Sequence, residues 1–229
     1  MVAIYGPPFP NHRGGPLLWG SLSGSFVTAR HVVEGKAECS VEIDSFRHHR
    51  QLNETIHFQK NDQFELVAVQ PLFHPDKNID VAVFSVPSLS SLPKIPLGGH
   101  LDDWIDDDQF VLNEVLVLGF PPIPLAASNI LLAAKSQINA VVDLTVVKHV
   151  HFVVSTMARG GFSGGVVLSE WGVAMGMVTS SLLRNGEPEE LGYMTVLSVE
   201  PILQCLGEHA LLSPEDAERW DGLFDPKGT

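Results

Sequence analysis

Cysteine is almost missing from this chain. Cys39 and Cys205 are the only two in 229 residues, too few and too far apart for the disulfide framework of a small secreted domain. Stability must then come from packing, with both thiols expected to be reduced. Basic residues are also scarce, 14 against 27 acidic ones, for a formal charge of −13 at pH 7. A phosphate-seeking surface needs a basic footprint, so nucleic acid is not an expected partner. No apolar run approaches the ~18 to 20 residues of a membrane helix. The opening stretch Met1 to Gly15 lacks the basic start and unbroken apolar core of a secretory signal. The expectation is a soluble, cytoplasmic protein with no membrane partner. What the chain does have is apolar mass, 45% hydrophobic against 18% charged. That is too much for a disordered chain and enough for one large domain or two small ones.

Short apolar segments alternate with turn residues along most of the chain: Gly24 to Ala29, Ala37 to Ile43, Thr55 to Gln59, Phe64 to Gln70, Asp80 to Val86, Glu114 to Gly119, Ile130 to Ala140, Val150 to Ser155, Gly165 to Leu168, Val173 to Thr179 and Gly192 to Leu197. Most are rich in Val, Ile, Phe and Thr and only a few residues long, the signature of an all-β barrel or sandwich. Helices are expected only near the end. Ser213, Pro214 and Asp216 supply an N-cap, a first-turn proline and an early acid ahead of Ala217 to Trp220, and Pro201 to Leu206 is a second candidate. The proline-bearing, acidic stretch from Pro87 to Asp108 splits the strands into two comparable sets, which places a boundary near residue 105.

The densest chemical signal is the unbroken run Gly160, Gly161, Phe162, Ser163, Gly164, Gly165. Glycines remove side chains that would block close approach and let successive backbone N–H groups turn toward one point. Taken alone, the run fits either a glycine-rich turn with an incidental serine or a serine nucleophile beside an oxyanion hole. Asp80 lies in the apolar segment Asn78 to Phe84, where a carboxylate needs a partner, because an unpaired buried charge costs several kcal/mol. His31 follows the segment Gly24 to Arg30 and precedes Val32-Val33. Each of the three has an ordinary structural reading by itself. Their order, His then Asp then Ser, is that of one particular arrangement of catalytic triads.

With these motifs side by side, the sequence resembles the trypsin-like, chymotrypsin-fold serine proteases, nearer the bacterial Deg-type branch. Thr28-Ala29-Arg30-His31-Val32 carries the histidine motif, Ile79-Asp80-Val81-Ala82-Val83 the aspartate motif and Gly161-Phe162-Ser163-Gly164-Gly165 the serine motif. Gly119-Phe120-Pro121 resembles a Gly-Tyr-Pro turn of that branch, and Gly172 to Thr179 the hairpin after the serine. The likeness runs from about residue 15 to 200. It implies two packed antiparallel β-barrels, residues 1–105 with the linker and 106–200, followed by a helical extension over 201–229. It also implies a serine endopeptidase acting on polypeptide, without cofactor or metal. Ser163 would be the nucleophile, His31 the base and Asp80 its orienter, with the Gly161 and Ser163 N–H groups forming the oxyanion hole. Thr179 would hydrogen-bond Asp80.

Where digestive relatives carry an aspartate that receives a new amino terminus, this chain has Phe162, so activation by trimming is not expected. The resemblance puts Met157 at the floor of the specificity pocket, with Thr179, Ser180, Ser181 and Gly192 on its walls. None is acidic, which argues against cleavage after Lys or Arg. Only residues 164–229 follow the serine, and completing the second barrel uses most of them, so a PDZ domain does not fit. Gly161-x-Ser163-x-Gly165 also satisfies the nucleophile-elbow pattern of esterases, but Val166-Val167-Leu168 is a poor helix start. A latent or inactive protease-like binding domain is the other rival. His149 and His151 share a strand face without a third metal ligand placed by spacing.

Overall fold

The computed structural model describes residues 2–5, 16–19, 25–34, 39–45, 54–57, 68–69, 71–85, 95–98, 110–121, 123–126, 131–144, 147–156, 161–179, 183–184, 187–188 and 193–212. In chain order the elements are β1 (Val2–Tyr5), β2 (Pro16–Trp19), β3 (Ser25–Thr28), α1 (Arg30–Val33), β4 (Cys39–Ser45), β5 (Glu54–His57), β6 (Ala68–Val69), β7 (Leu72–Phe73) and β8 (Ala82–Ser85). The second half holds β9 (Glu114–Gly119), β10 (Leu132–Leu144), β11 (Val147–Val154), β12 (Val166–Ser169), β13 (Ala174–Val178), β14 (Leu183–Arg184), β15 (Glu187–Pro188), β16 (Met194–Ser198) and α2 (Glu200–Glu208).

The first half forms an eight-stranded sheet in the order β5-β4-β1-β2-β3-β8-β7, with β6 paired to β4, and the second half closes into a barrel, β10-β11-β16-β13-β12-β9. Every pairing among these strands is antiparallel. The all-β, chymotrypsin-like architecture expected from the sequence is present as a mostly-β fold with few helices; of the two barrels expected, the second is closed, and the first half is a sheet among the described residues. The boundary near residue 105 and the helix expected over 217–220 lie outside the described residues.

Alternation of side chains builds two cores from one set of strands. In the barrel, Val117 on β9, Val167 on β12 and Met194 and Val196 on β16 point inward with Phe152, Val154 and Phe162. Their neighbours Leu118, Val166 and Leu197 face the other way, onto a second apolar cluster shared with Val27 and Ala29, with Ile79, Val81 and Val83, and with Ile202, Cys205 and Leu206 of α2. This second cluster joins the two sheets and the C-terminal helix. Strand β8 is buried from Ala82 to Phe84, which explains its run of consecutive apolar residues in place of an alternating pattern. Phe26 and Phe84 are cross-strand partners, both fully buried. Each such ring contributes roughly 1.5–3 kcal/mol relative to exposure.

The linker also pairs with the barrel. Ala174 N–H donates to the Pro96 carbonyl and Gly98 N–H to the Ala174 carbonyl, each at 2.8 Å.

Candidate active site

His31 and Asp80 come from separate segments that converge where the two sheets meet. His31 lies on α1, a single helical turn directly after β3. Two valines in this four-residue helix make it a weak helix former on propensity, and bonds to Asp80 and within the turn hold it. The Arg30 N–H donates to the Asp80 carbonyl at 3.3 Å, and the Glu34 N–H to the Arg30 carbonyl at 2.8 Å. Asp80 is the central residue of a tight turn, closed by Val81 N–H donating to the Ile79 carbonyl at 2.9 Å. A three-residue turn of this kind is common at strand ends, and here β8 begins directly after it.

The Asp80 carboxylate grips His31 twice. Oδ1 accepts the His31 backbone N–H at 2.9 Å, and Oδ2 lies 2.7 Å from His31 Nδ1. Because a carboxylate only accepts, Nδ1 carries the proton and the Nε2 lone pair is left to act as a base. The His31 side chain is 49% exposed and that of Asp80 26%. The hydrogen bond that His31 donates to Asp80 raises the His31 pKa above 6.5 against the opposing effect of burial, and the charges of Asp80 and Glu34 add to the rise.

Ser163 sits on the turn between Gly161 and Gly165. Gly161 has φ +96° and Gly164 φ +79°, the left-handed region that glycine enters without strain. A Cβ at Gly161 would also lie 2.5 Å from the Phe120 carbonyl oxygen and 2.7 Å from Pro121 Cα. The turn is fastened on both sides. Phe120 N–H donates to the Gly161 carbonyl at 3.0 Å, Gly164 N–H to the Val178 carbonyl at 2.7 Å, and Gly165 N–H to the Phe162 carbonyl at 2.7 Å. Phe162, the residue before the serine, is 4% exposed in the barrel core, against Gly119, where any side chain would run into its ring. An apolar anchor therefore stands where an ion pair was ruled out by sequence.

Of the residues named from sequence, the structure brings His31 and Asp80 into direct contact and puts Gly161 and Ser163 on one glycine turn. No hydrogen bond joins Ser163 to His31 among the described residues, and catalytic bonds of this kind commonly tighten only when substrate is bound. Thr179 is buried at the end of β13. The expected hydroxyl bond from Thr179 to Asp80 is not formed among the described residues; both Asp80 oxygens are engaged by His31. Met157, Gly160, Ser180, Ser181 and Gly192 lie outside the described residues. Sequence reasoning missed His74, Gln204 and His209, which bind the strand and turn leading to Asp80 to α2. Local sequence held no signal for contacts 130 and 136 residues apart. Among the described residues no group of three or more His, Cys, Asp or Glu side chains could hold a metal ion.

An imidazole fixed by a carboxylate at the junction of two antiparallel β units, with a serine on a glycine turn fastened to the barrel, defines the class of chymotrypsin-fold peptidases. Comparison with known proteins agrees. Residues 14–177 match the trypsin-like peptidase domain, and the chain belongs to that family of serine proteases.

Among solved structures, it is similar to the inactive form of the Rv3671c protease of M. tuberculosis, with TM-score 0.57, 16% identity, and 90% of this chain and 87% of that one covered. It is also similar to a serine endoprotease from Yersinia pestis, with TM-score 0.59, 18% identity, and 92% and 62% covered. The HtrA-type protease AlgW with a tripeptide gives TM-score 0.61, 19% identity, and 91% and 60% covered. The chain thus spans less than two-thirds of the length of the last two. None of the curated proteins matches.

Proposed function

We propose that this protein is a serine endopeptidase that hydrolyses polypeptides through a His31, Asp80, Ser163 triad and an acyl-enzyme intermediate. The observation that carries the reading is the two-point grip of Asp80 on His31, which selects the tautomer a base at Nε2 requires. Ser163 Oγ attacks the scissile carbonyl as its proton passes to His31 Nε2, and Asp80 stabilises the imidazolium that results. Negative charge on the tetrahedral oxygen is met by the N–H groups of Gly161 and Ser163. One such donor is typically worth ~10²- to 10³-fold in rate. Collapse breaks the C–N bond, the leaving amine takes the proton from His31, and Ser163 holds the acyl group as an ester. Water, deprotonated by His31, then releases the acid and restores the serine.

Met157, Thr179, Ser180, Ser181 and Gly192 are proposed as the substrate pocket. Without an acid among them, a small or medium apolar residue is favoured before the cut. The test is digestion of casein by the wild type and by Ser163→Ala, with cut sites mapped by mass spectrometry. Loss of the serine should lower turnover by a factor on the order of 10⁶. Equal cutting by both proteins would overturn the assignment.

A further inference from the structure

We propose that His74 is a positioning residue for Asp80, which it holds in place by latching the turn that carries the carboxylate to Gln204 of the C-terminal helix. The inference rests on the triad reading above and adds residues to it.

His74 is 3% exposed, yet each of its polar ring atoms has a partner. Nδ1 lies 3.0 Å from the Asp76 backbone nitrogen, whose N–H can only donate, so Nδ1 is the unprotonated nitrogen. Nε2 therefore carries the proton and donates it to Gln204 Oε1 at 3.0 Å. The other tautomer would lose both bonds and keep only the longer contact from Nδ1 to the Asp76 carbonyl at 3.3 Å. The backbone is engaged as well, His74 N–H donating to the Val81 carbonyl at 3.1 Å. Between these anchors the chain closes on itself. Asn78 N–H donates to Asp76 Oδ1 at 2.8 Å, Ile79 N–H to the Asp76 carbonyl at 3.2 Å, and Val81 N–H to the Ile79 carbonyl. Asp80 is the next-to-last residue of this closed loop, so the position of its carboxylate depends on where His74 holds the two ends.

Helix α2 fastens the same segment at a second point, where His209 Nε2 donates to the Phe73 carbonyl at 2.8 Å. The base of α2 is itself packed in the cluster shared by both sheets. A helix more than a hundred residues downstream thus fixes the geometry of the His31–Asp80 pair.

The titratable and charged groups around His74 come from several elements. Asp76 lies on its own turn, and His149 of β11 stands edge-on with ring centroids 6.5 Å apart. From α2 comes the uncharged Gln204, with His209 on the neighbouring carbonyl, and Arg30 lies over the Phe73 ring at 4.8 Å. Burial lowers the His74 pKa below 6.5, with the His149 charge adding to the effect and Gln204 and Asp76 opposing it. The neutral ring is thus the form the fold keeps. A proton added at Nδ1 would give up the bond from the Asp76 N–H at 3.0 Å and leave only the Asp76 carbonyl, 3.3 Å away, to accept it, which loosens this end of the loop.

The test compares wild type, Gln204→Leu and Gln204→Glu in two assays. The first is the rate at which a fluorophosphonate labels Ser163 at pH 8. The second is the pKa of His31, read by NMR titration of its ring, which does not depend on the protein being a protease. Gln204→Leu should slow labelling by roughly tenfold or more, within the ~10²-fold that a 1 Å misplacement can cost. It should also let the His31 pKa fall back toward 6.5. Gln204→Glu keeps an acceptor for Nε2–H and should recover most of the lost rate, with an acid limb moved to higher pH because the new charge favours protonated His74.

Unchanged labelling and an unchanged His31 pKa in Gln204→Leu would overturn the proposal. So would equal impairment in both variants, which would mean that only packing matters. If the wild type is not labelled at all, the protease reading fails, and the His31 titration alone decides whether the latch exists. Should Gln204→Leu not fold, Gln204→Asn, which withdraws the acceptor by one methylene, takes its place under the same criteria.

Discussion

Adding one methyl group at Gly119 should disable the site without touching the triad. A Cβ there would overlap Phe162 Cδ1 and lie 2.9 Å from Cε1 and 3.0 Å from Cγ. Ordinary contacts begin near 3.5 Å, so relieving the overlap with Cδ1 requires the ring to retreat by more than ~1 Å. Phe162 is 4% exposed and packed in the barrel core, which leaves it no empty space to enter. Overpacking of this kind costs typically ~1–3 kcal/mol. For a chain of this length each kcal/mol lowers Tm by roughly 2–4 °C, so the expected fall is on the order of 2–12 °C.

The effect on activity should be larger than that on stability, because Phe162 lies between Gly161 and Ser163, and displacing it shifts both the oxyanion donors and the nucleophile. The expected loss in kcat/KM is about 10- to 100-fold at a temperature where the variant is fully folded. Phe162→Leu, placed in the same chain, shortens the obstructing ring and should restore part of both quantities. Two positions in contact should show a coupling of ~0.5–3 kcal/mol in a double-mutant cycle followed by thermal unfolding. Additive effects, or a Gly119→Ala protein with wild-type kcat/KM, would refute the reasoning that Phe162 anchors the serine turn.

Other consequences follow from the same contacts. Asp80→Asn should lower kcat by ~10⁴-fold through the wrong imidazole tautomer, and it should move the acid limb of the pH–rate profile down, since the hydrogen bond and charge that raise the His31 pKa are both removed. In the wild type that limb should lie above pH 6.5, activity rising as His31 loses its proton; a limb at or below 6.5 contradicts the raised pKa.

Stability should depend on pH with opposite signs at two histidines. The His31–Asp80 pair contributes fully below pH 6.5 and loses its contribution as pH rises through the raised folded pKa. The contribution of neutral His74 is lost as pH falls from 6.5 toward its lowered one. Thermal unfolding of His31→Ala and His74→Gln against pH separates the two. Burial pushes the Cys205 thiol up to about 12, so iodoacetamide at pH 8 should modify it only once the protein is unfolded. Gly176→Ala would drive a methyl into the Leu197 carbonyl oxygen across the β13–β16 pair. It should destabilise by at least ~1–3 kcal/mol, read as a lower denaturant midpoint.

Local pattern carried much of the architecture. The segment Glu114 to Gly119 coincides with β9, and Val173 to Thr179 brackets β13, because each is a run of apolar residues bounded by turn residues. The single turn α1 escaped notice, since Arg30–Val33 has no helical periodicity and owes its shape to bonds with Asp80 and within the turn. Strands β1 and β2 were also missed, lying beside the proline- and glycine-rich stretch from Gly6 to Gly15, where composition signals turns. His31 and Asp80 were legible as motifs, and the need of a carboxylate in this apolar segment for a partner was met by His31 itself, although the Asp80 side chain stays 26% exposed.

What could not be read were the tertiary contacts. Phe162 was noticed as a departure from an ionic pattern, but its burial against Gly119 depends on the packing of the barrel. His209 binds the Phe73 carbonyl across 136 residues, a pairing no local pattern could signal. Gln204 carried no signal, because an amide in a helix is ordinary until its partner is known.

The most direct test of the central claim is covalent. Wild type, His31→Ala and Ser163→Ala are incubated with a fluorophosphonate, digested, and the modified residue located by mass spectrometry. The account predicts a single adduct on Ser163 in the wild type, labelling slowed by orders of magnitude in His31→Ala, and none in Ser163→Ala. An adduct on another residue, or a wild-type rate in His31→Ala, would contradict it.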